Sequence, residues 1–406
     1  MFKKILSLLL AAGLYLTPAF AEKTPKPISS QSLSGNFRLT PPNPVIKILL
    51  ARDLNSADIN VEGPYRIFNS LDETVSSYGL FGKSYPVTAT VDGIKWGEEF
   101  PGTFQIAIVP ANSKTRIWVN NTIYPGAIFI YQVNGKINII NQVKIEDYLK
   151  TTLPLEIGSN LNEEAISAAT IVARTDAYYQ TLRYPKAHYH LEAKDINYVG
   201  LSGIKDHNIE NAVDATRYLV MRQQDSSAYQ GLFPATWTAH SAGKTALASV
   251  IFRKPDMGPS ASVDSIVAKN DREKSTWHLL MKKSDLARAI GMADLKSVNL
   301  FKDQDSGKVY GLKALGDSGS KEVDFIGLQK ALGKEKLLSS DFTLDIKGDI
   351  VCIDGHGKGH GAGLCLFSAN KLAESGQDAV KVLQKYFPGA EVVMMPTLQP
   401  TDKIIY

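Results

Sequence analysis

The chain has 406 residues, 44% of them apolar and 21% charged, a formal charge of +4 and two cysteines. That length can bury one large core or two smaller ones, and the composition is that of a globular protein. No Lys/Arg run interleaved with aromatics occurs, which argues against a nucleic-acid partner, and two cysteines build neither a disulfide framework nor a zinc ribbon.

Taken in chain order, residues 1–21 read as a secretory signal peptide. Lys3 and Lys4 form the basic start, Ile5 to Leu16 the apolar stretch, and Ala19-Phe20-Ala21 the cleavage pattern. Removing them lowers the formal charge from +4 to +2. No later stretch is long and apolar enough for a membrane helix, so the mature chain is expected to be exported to the periplasm or cell envelope without a span. Residues 22–44, rich in Pro, Ser, Thr and Lys, read as a flexible linker.

Residues 45–143 read as a β-rich region. VIKILLA, YRIFNS, FQIAIVP, TRIWVN, GAIFIYQV and KINIINQV are short apolar strands, and Val133-Asn134-Gly135 is a hairpin turn. Residues 144–395 mix helices with strands. After EDYLKTTLPLEIG, the run SNLNEEAISAATIVARTDAYYQTL predicts a helix, with Asn160 and Glu163 fitting a capping box and Leu161, Ala165, Ala168, Ala169, Val172 and Ala173 forming its apolar stripe. LVMRQQ reads as a strand, SDLARAIGM and FIGLQKAL as helices. LCLFSANKLAES and DAVKVLQKYF read as two closing helices, broken at Gly376 and stopped by Pro388-Gly389. Residues 396–406 form a tail. The order of elements predicts an α+β protein, not a regularly wound parallel sheet.

Three segments could carry chemistry. DGHGKGHGAGLC, residues 354–365, has five glycines in nine residues. It lacks the pattern of a P-loop and the βαβ context of a dinucleotide site. Were it an extended strand, His356, Lys358 and His360 would share one face, with the two histidines about 13 Å apart, too far for one metal. The bare face would admit a flat polymer or a neighbouring strand. Cys352 and Cys365 flank this stretch; export permits a disulfide between them, but the spacing does not demand one.

In PLEIG, Glu156 stands between Leu155 and Ile157. An apolar setting favours the protonated carboxyl that a glycosidic oxygen needs from a general acid. The alternative is an anion resting at the positive start of the following helix. ATWTAHSAGKT, residues 235–245, offers His240, Ser241, Lys244 and Thr245 on a small-residue loop. Adjacent Ser and His are not evidence of a triad, whose members meet in space.

Together these segments resemble the stage II sporulation protein D (SpoIID/LytB) family. The entry motif, an acidic-Tyr-Leu stretch, a glutamate motif and an Ala-rich helix ending Ala-Arg-Thr-x-Ala, stands as EDYLKTTLPLEIGSNLNEEAISAATIVARTDAYY. The Ser-Gly-Gly-x-Thr loop stands as SAGKT, with Ala242 for the first glycine, and the closing motif as GHGKGHGAGLC…SANKLAESG…YFPGAEV, with Leu364-Cys365 for the usual Met. The resemblance covers about residues 140–395. It implies a lytic transglycosylase that cuts the β-1,4 bond between N-acetylmuramic acid and N-acetylglucosamine, on glycan strands stripped of peptides, without a cofactor. Glu156 would be its acid/base. Arg174, His240, Ser241, Lys244 and His360 would line a glycan groove. Some members bind zinc just after the Ala-Arg-Thr helix, but residues 186–203 contain no cysteine, so no metal is assigned. Two rival readings are a wall-binding module that enhances a cell-wall amidase, and a metal-dependent amidase built on His188, His190 and His360; no carboxylate–histidine ligand set is spaced for the latter.

Overall fold

The structure is a computed structural model that describes residues 44–69, 75–158, 160–224 and 228–395. The expected signal peptide, all of the linker but Pro44, and the tail lie outside the described residues. The fold is α+β.

The first layer pair is a β-sandwich. A seven-stranded sheet runs in the order Leu191–Glu192, Val45–Leu54, Lys136–Lys144, Ala127–Val133, Gln105–Pro110, Tyr65–Asn69, Val75–Gly79. A six-stranded sheet built around Ser56–Glu62 and Lys83–Thr90 covers one of its faces. Successive residues of a strand point to opposite faces. Ile106, Ile108, Ile128 and Ile130 therefore enter the core between the sheets, while Ala107, Phe129 and Ile140 pack on the other face. Both faces are covered, so these strands read as continuous apolar runs. Val133 pairs with Lys136 across Asn134 (φ 51°) and Gly135 (φ 72°), the left-handed pair that an Asn-Gly hairpin supplies.

The chain then turns helical. EDYLKTTLPLEI is itself a helix, α1 (Ile145–Ile157), with Pro154 inside it. The expected second helix is α2 (Glu163–Arg183). Its cap is Asn162, which accepts from the Glu164 amide at 3.0 Å; the expected cap, Asn160, lies two residues too early. The predicted stripe is buried, apart from the partly buried Leu161, but α2 is apolar on two sides. One packs against α1, the helix α3 (His207–Ala215) and Ile46, Ile48 and Val143 of the sheet. The other meets the C-terminal helices. Alanines 165, 168, 169, 173 and 177 allow those neighbours to come close.

Two short helices, α4 (Ala248–Ile251) and α5 (Ile266–Asn270), lead into a smaller α+β layer. It holds two three-stranded sheets and the helices α6 (Lys283–Ala289) and α7 (Phe325–Leu332), around Val309, Leu312, Phe325, Leu328, Val351 and Ile353. The chain returns through α8 (Leu366–Glu374) and α9 (Ala379–Tyr386) to α2, where the Asn370 side chain accepts from the Asn162 amide and Glu164 accepts from the Ala379 amide.

Candidate active site on the first helix

Glu156 lies in the last turn of α1, just before Gly158 (φ 73°) ends the helix. It is half-buried. Tyr148, Thr152 and Glu156 are spaced four apart, so they form a column on one helical face. Thr152 donates to the Tyr148 carbonyl at 2.9 Å. The Glu156 carboxylate accepts from the Asn197 side-chain amide at 2.8 Å. Asn197 has φ 48°, a backbone state that asparagine tolerates better than most residues. The next residue, Tyr198, fixes this loop: its hydroxyl donates to Asn141 at 2.6 Å, and its ring lies 6.2 Å from that of Tyr148. Glu156 itself is carried by the carbonyl end of α1, where the helix dipole is negative.

A second carboxyl with an unusual setting lies on α2, and sequence reasoning missed it. Asp176 is half-buried on α2, where its Oδ1 accepts from Gln180 at 3.2 Å. Burial raises its pKa to about 6, with the Gln180 hydrogen bond and the Lys254 charge pulling the other way. The Tyr148 phenol is pushed well above its ordinary range, first by burial, then by the charges of Asp176 and Glu156. The available signal was an acidic residue at the x of Ala-Arg-Thr-x-Ala, inside a helix otherwise lined with small residues.

Arg174 is not on a groove, which corrects the expectation for it. The side chain is 0% exposed, and all five donors are engaged. Nε and Nη2 reach Glu146 at 2.9 and 2.8 Å, Nη1 reaches the Thr216 hydroxyl and Leu219 carbonyl, and Nη2 also reaches the Val213 carbonyl. The acid of the EDYL stretch and the arginine of the Ala-Arg-Thr stretch thus hold α1, α2 and α3 together.

The glycine stretch is not an extended strand beyond His356. Gly357, Gly359, Gly361 and Gly363 all have positive φ, from 72° to 99°. The stretch threads through its own protein. Lys358 and His240 exchange two backbone hydrogen bonds of 2.9 Å, Ala246 donates to the Gly361 carbonyl, and Leu364 to that of Thr236. A Cβ on Gly363 would stand 2.1 Å from the Thr236 carbonyl oxygen, and one on Gly357 2.4 Å from that of His240. Of the two readings of the bare face, the neighbouring strand is the one seen, and that strand is the segment 236–246, which contains SAGKT.

Its side chains mostly serve this seam. Ser241 is 1% exposed; its hydroxyl donates to the Gly243 carbonyl at 2.8 Å and its amide to Cys365 Sγ, so it does not line an open groove. His360 also departs from expectation. Nδ1 accepts from the Ala362 amide at 3.2 Å, leaving Nε2 to donate to Thr236 at 3.1 Å, and the ring meets Phe252 edge-on. Burial lowers its pKa to about 4, so it is neutral at physiological pH. His240 Nδ1 accepts from the Ala242 amide, which leaves the Nε2 proton facing Asp271 at 3.4 Å, outside good hydrogen-bond geometry. Its pKa is lowered by burial, partly offset by Asp271. Lys244 is half-exposed and paired with Asp305. Beneath the loop, Lys308 (1% exposed) donates to the Ser241 carbonyl and to Asp341, both at 2.6 Å. Arg272 bridges Asp341 and the Ala242 carbonyl. Ala242 itself has φ 54°, a left-handed state at the position where the resembled motif carries glycine.

Cys352 and Cys365 are both free thiols. Among the described residues, no group of three or more His, Cys, Asp or Glu is placed to hold a metal. His190 Nδ1 accepts from the Lys47 amide, and His188 packs edge-on against Tyr131 of the large sheet, whereas His360 sits in the glycine seam. A cleft of about 310 Å³, lined by Asp147, Lys150, Thr151, Leu201, Lys205 and Glu210, opens on the side of α1 away from Glu156.

Residues 133–222, which hold Glu146, Glu156, Arg174, Asp176 and Asn197, match the SpoIID family, described as stage II sporulation protein. The likeness to that family is carried by this segment, under a quarter of the chain. The match ends before the SAGKT and glycine segments. An uncharacterized protein of Chlamydia pneumoniae is 34% identical over 181 residues, 44% of this chain and 66% of the relative. One of Chlamydia muridarum is 29% identical over 181 residues, 63% of its length. An uncharacterized protein of Brachyspira hyodysenteriae is 26% identical over 357 residues, 86% of this chain and 93% of its own. The chain therefore spans just under two thirds of the chlamydial relatives and nearly all of the third.

Proposed function

We propose that this protein is an exported peptidoglycan lytic transglycosylase of the periplasm or cell envelope, acting on glycan strands, by preference those free of peptides. The observation that carries the reading is Glu156: a half-buried carboxyl at a helix end, oriented by Asn197, inside the segment that matches the SpoIID family. Glu156 would donate its proton to the glycosidic oxygen as the C–O bond breaks. The carboxylate would then accept the proton of the muramic 6-hydroxyl as that oxygen closes on the anomeric carbon, leaving a 1,6-anhydro end. Acid and base are one residue used twice, so no water-activating carboxylate is required. His240 and Lys244 remain proposed contacts to the glycan; Arg174, Ser241 and His360 act through the frame that supports them.

The test is product analysis of peptide-free strands digested by the mature protein. Anhydro-ended fragments from the wild type and none from Glu156→Gln support the reading. Binding to glycan that is indifferent to Glu156→Gln, with activity only when an amidase is added, would replace it with the wall-binding module.

A further inference from the structure

The far end of α2 carries a surface that the mechanism above leaves unused. Asp176, Tyr179, Gln180 and Arg183 fall three and four residues apart, so they form one column on that helix. Two other segments close on the column. From the segment after α4, Asp256 pairs with the Arg183 guanidinium and accepts from the Tyr179 hydroxyl at 3.3 Å. From the loop Ala228–Gly231, the Tyr229 ring meets that of Tyr179 edge-on, with centroids 5.3 Å apart. Arg183 also lies over two rings, 5.5 Å from the centre of Tyr179 and 5.2 Å from that of Tyr184.

Tyr179 is the buried base of this cluster, whereas Tyr184 and Tyr229 are 46% and 41% exposed. The segments that present them are strained. Tyr229, Gln230 and Arg253 hold left-handed backbones, at φ 49°, 58° and 51°, without being glycine. Such states persist where surrounding contacts enforce them, and they gather at binding surfaces. Here Arg222 Nε donates to the Gln230 carbonyl at 2.5 Å, and the Leu232 amide to that of Tyr229 at 3.1 Å.

We infer that Tyr184, Tyr229 and the Arg183–Asp256 pair form a second glycan-binding platform, separate from the Glu156 site; the identity of the polymer rests on the transglycosylase reading. A sugar ring offers C–H faces that lie against aromatic rings, and hydroxyls that bond to a carboxylate or a guanidinium. Arg183 and Asp256 neutralise each other, while the exposed Arg253 and Lys254 beside them have no ion pair among the described residues. That cationic margin suits a peptide-free strand, which bears a carboxylate on each muramic acid where the peptide was removed. Two half-exposed rings fall far short of the roughly 800 Å² per side that a stable protein interface needs. The platform is distant from the chemistry. Glu156 precedes the start of α2, Arg183 is its last residue, and a helix of 21 residues is about 30 Å long.

The experiment measures binding of peptide-free glycan strands to the mature Glu156→Gln protein, so that the polymer stays intact. The same protein is tested with Tyr184→Ala, Tyr229→Ala or Tyr229→Phe added, with thermal unfolding and sizing of each. Each alanine should raise Kd about tenfold, and phenylalanine should hold it within about twofold. The two alanine sites are independent, so one folded variant decides the matter. Unchanged Kd in both alanine variants, or the same loss with phenylalanine, would overturn the inference. Intact glycan binding with a smaller oligomer would overturn it too, assigning the rings to a contact between copies. Release of anhydro ends by the wild type is read separately. Strands held through the tyrosines but never cut would remove the transglycosylase and leave the platform.

Discussion

Arg174 and Glu146 form a bidentate ion pair with no solvent contact at the guanidinium, 28 residues apart in sequence. Removing one partner of such a pair strands the other charge and costs about 3–5 kcal/mol. Arg174→Met and Glu146→Gln should each lower the denaturation midpoint by that measure. A groove arginine would behave otherwise: Arg174→Met would raise KM and leave the denaturation curve in place.

The glycine seam makes a second prediction. Gly363→Ala combines a left-handed backbone with a Cβ 2.1 Å from a carbonyl oxygen. It should destabilise by more than about 2 kcal/mol, since the backbone term alone is ~1–2 kcal/mol. Gly376→Ala, at φ 90° with open space around it, meets the backbone term only and should cost about 1 kcal/mol. Urea unfolding of the two variants separates contact from conformation.

Stability against pH carries opposing contributions. His190 and His360 have folded pKa values lowered to about 4, so between there and the ordinary histidine value the unfolded chain binds more protons, and stability falls as pH drops. Each contributes on the order of 3 kcal/mol at most. Asp176 has the opposite sign: its folded pKa is raised, so its protonation favours the fold, and that contribution is lost as pH rises from about 4 to about 6. The wild type should therefore lose stability on acidification through pH 6 to 4. Asp176→Asn should lose more over the same range, while being at least as stable as the wild type at pH 7. Chemical denaturation at pH 4, 5, 6 and 7 reads both slopes.

Asn197 tests the placement of Glu156 without touching the acid itself. Asn197→Ala removes the 2.8 Å hydrogen bond and should reduce kcat about tenfold, in keeping with one hydrogen bond to a charged group. A variant with full kcat would show that the carboxyl is held in place by other means.

What the sequence disclosed depended on how local each cause was. The Asn134-Gly135 hairpin and the sandwich strands follow from turn chemistry and from burial on both faces. The helix α1 was obscured by Pro154 and two adjacent threonines, residues that argue against a helix locally and are tolerated here near its end. The burial of Arg174 depended on a partner far upstream, and the glycines on a backbone over 100 residues away. Spacing cannot reveal either. Glu156 was legible because its motif is local. Asp176 was not, because its setting comes from burial against other segments, which no local motif announces.

The central claim is that Glu156 does the chemistry. Mass spectrometry of peptide-free glycan strands, incubated with wild type and with Glu156→Gln, tests it most directly. The account predicts 1,6-anhydro ends from the wild type and none from a Glu156→Gln protein with an unchanged melting temperature. Equal anhydro product from both, or reducing ends or free peptides in place of anhydro ends, would contradict it.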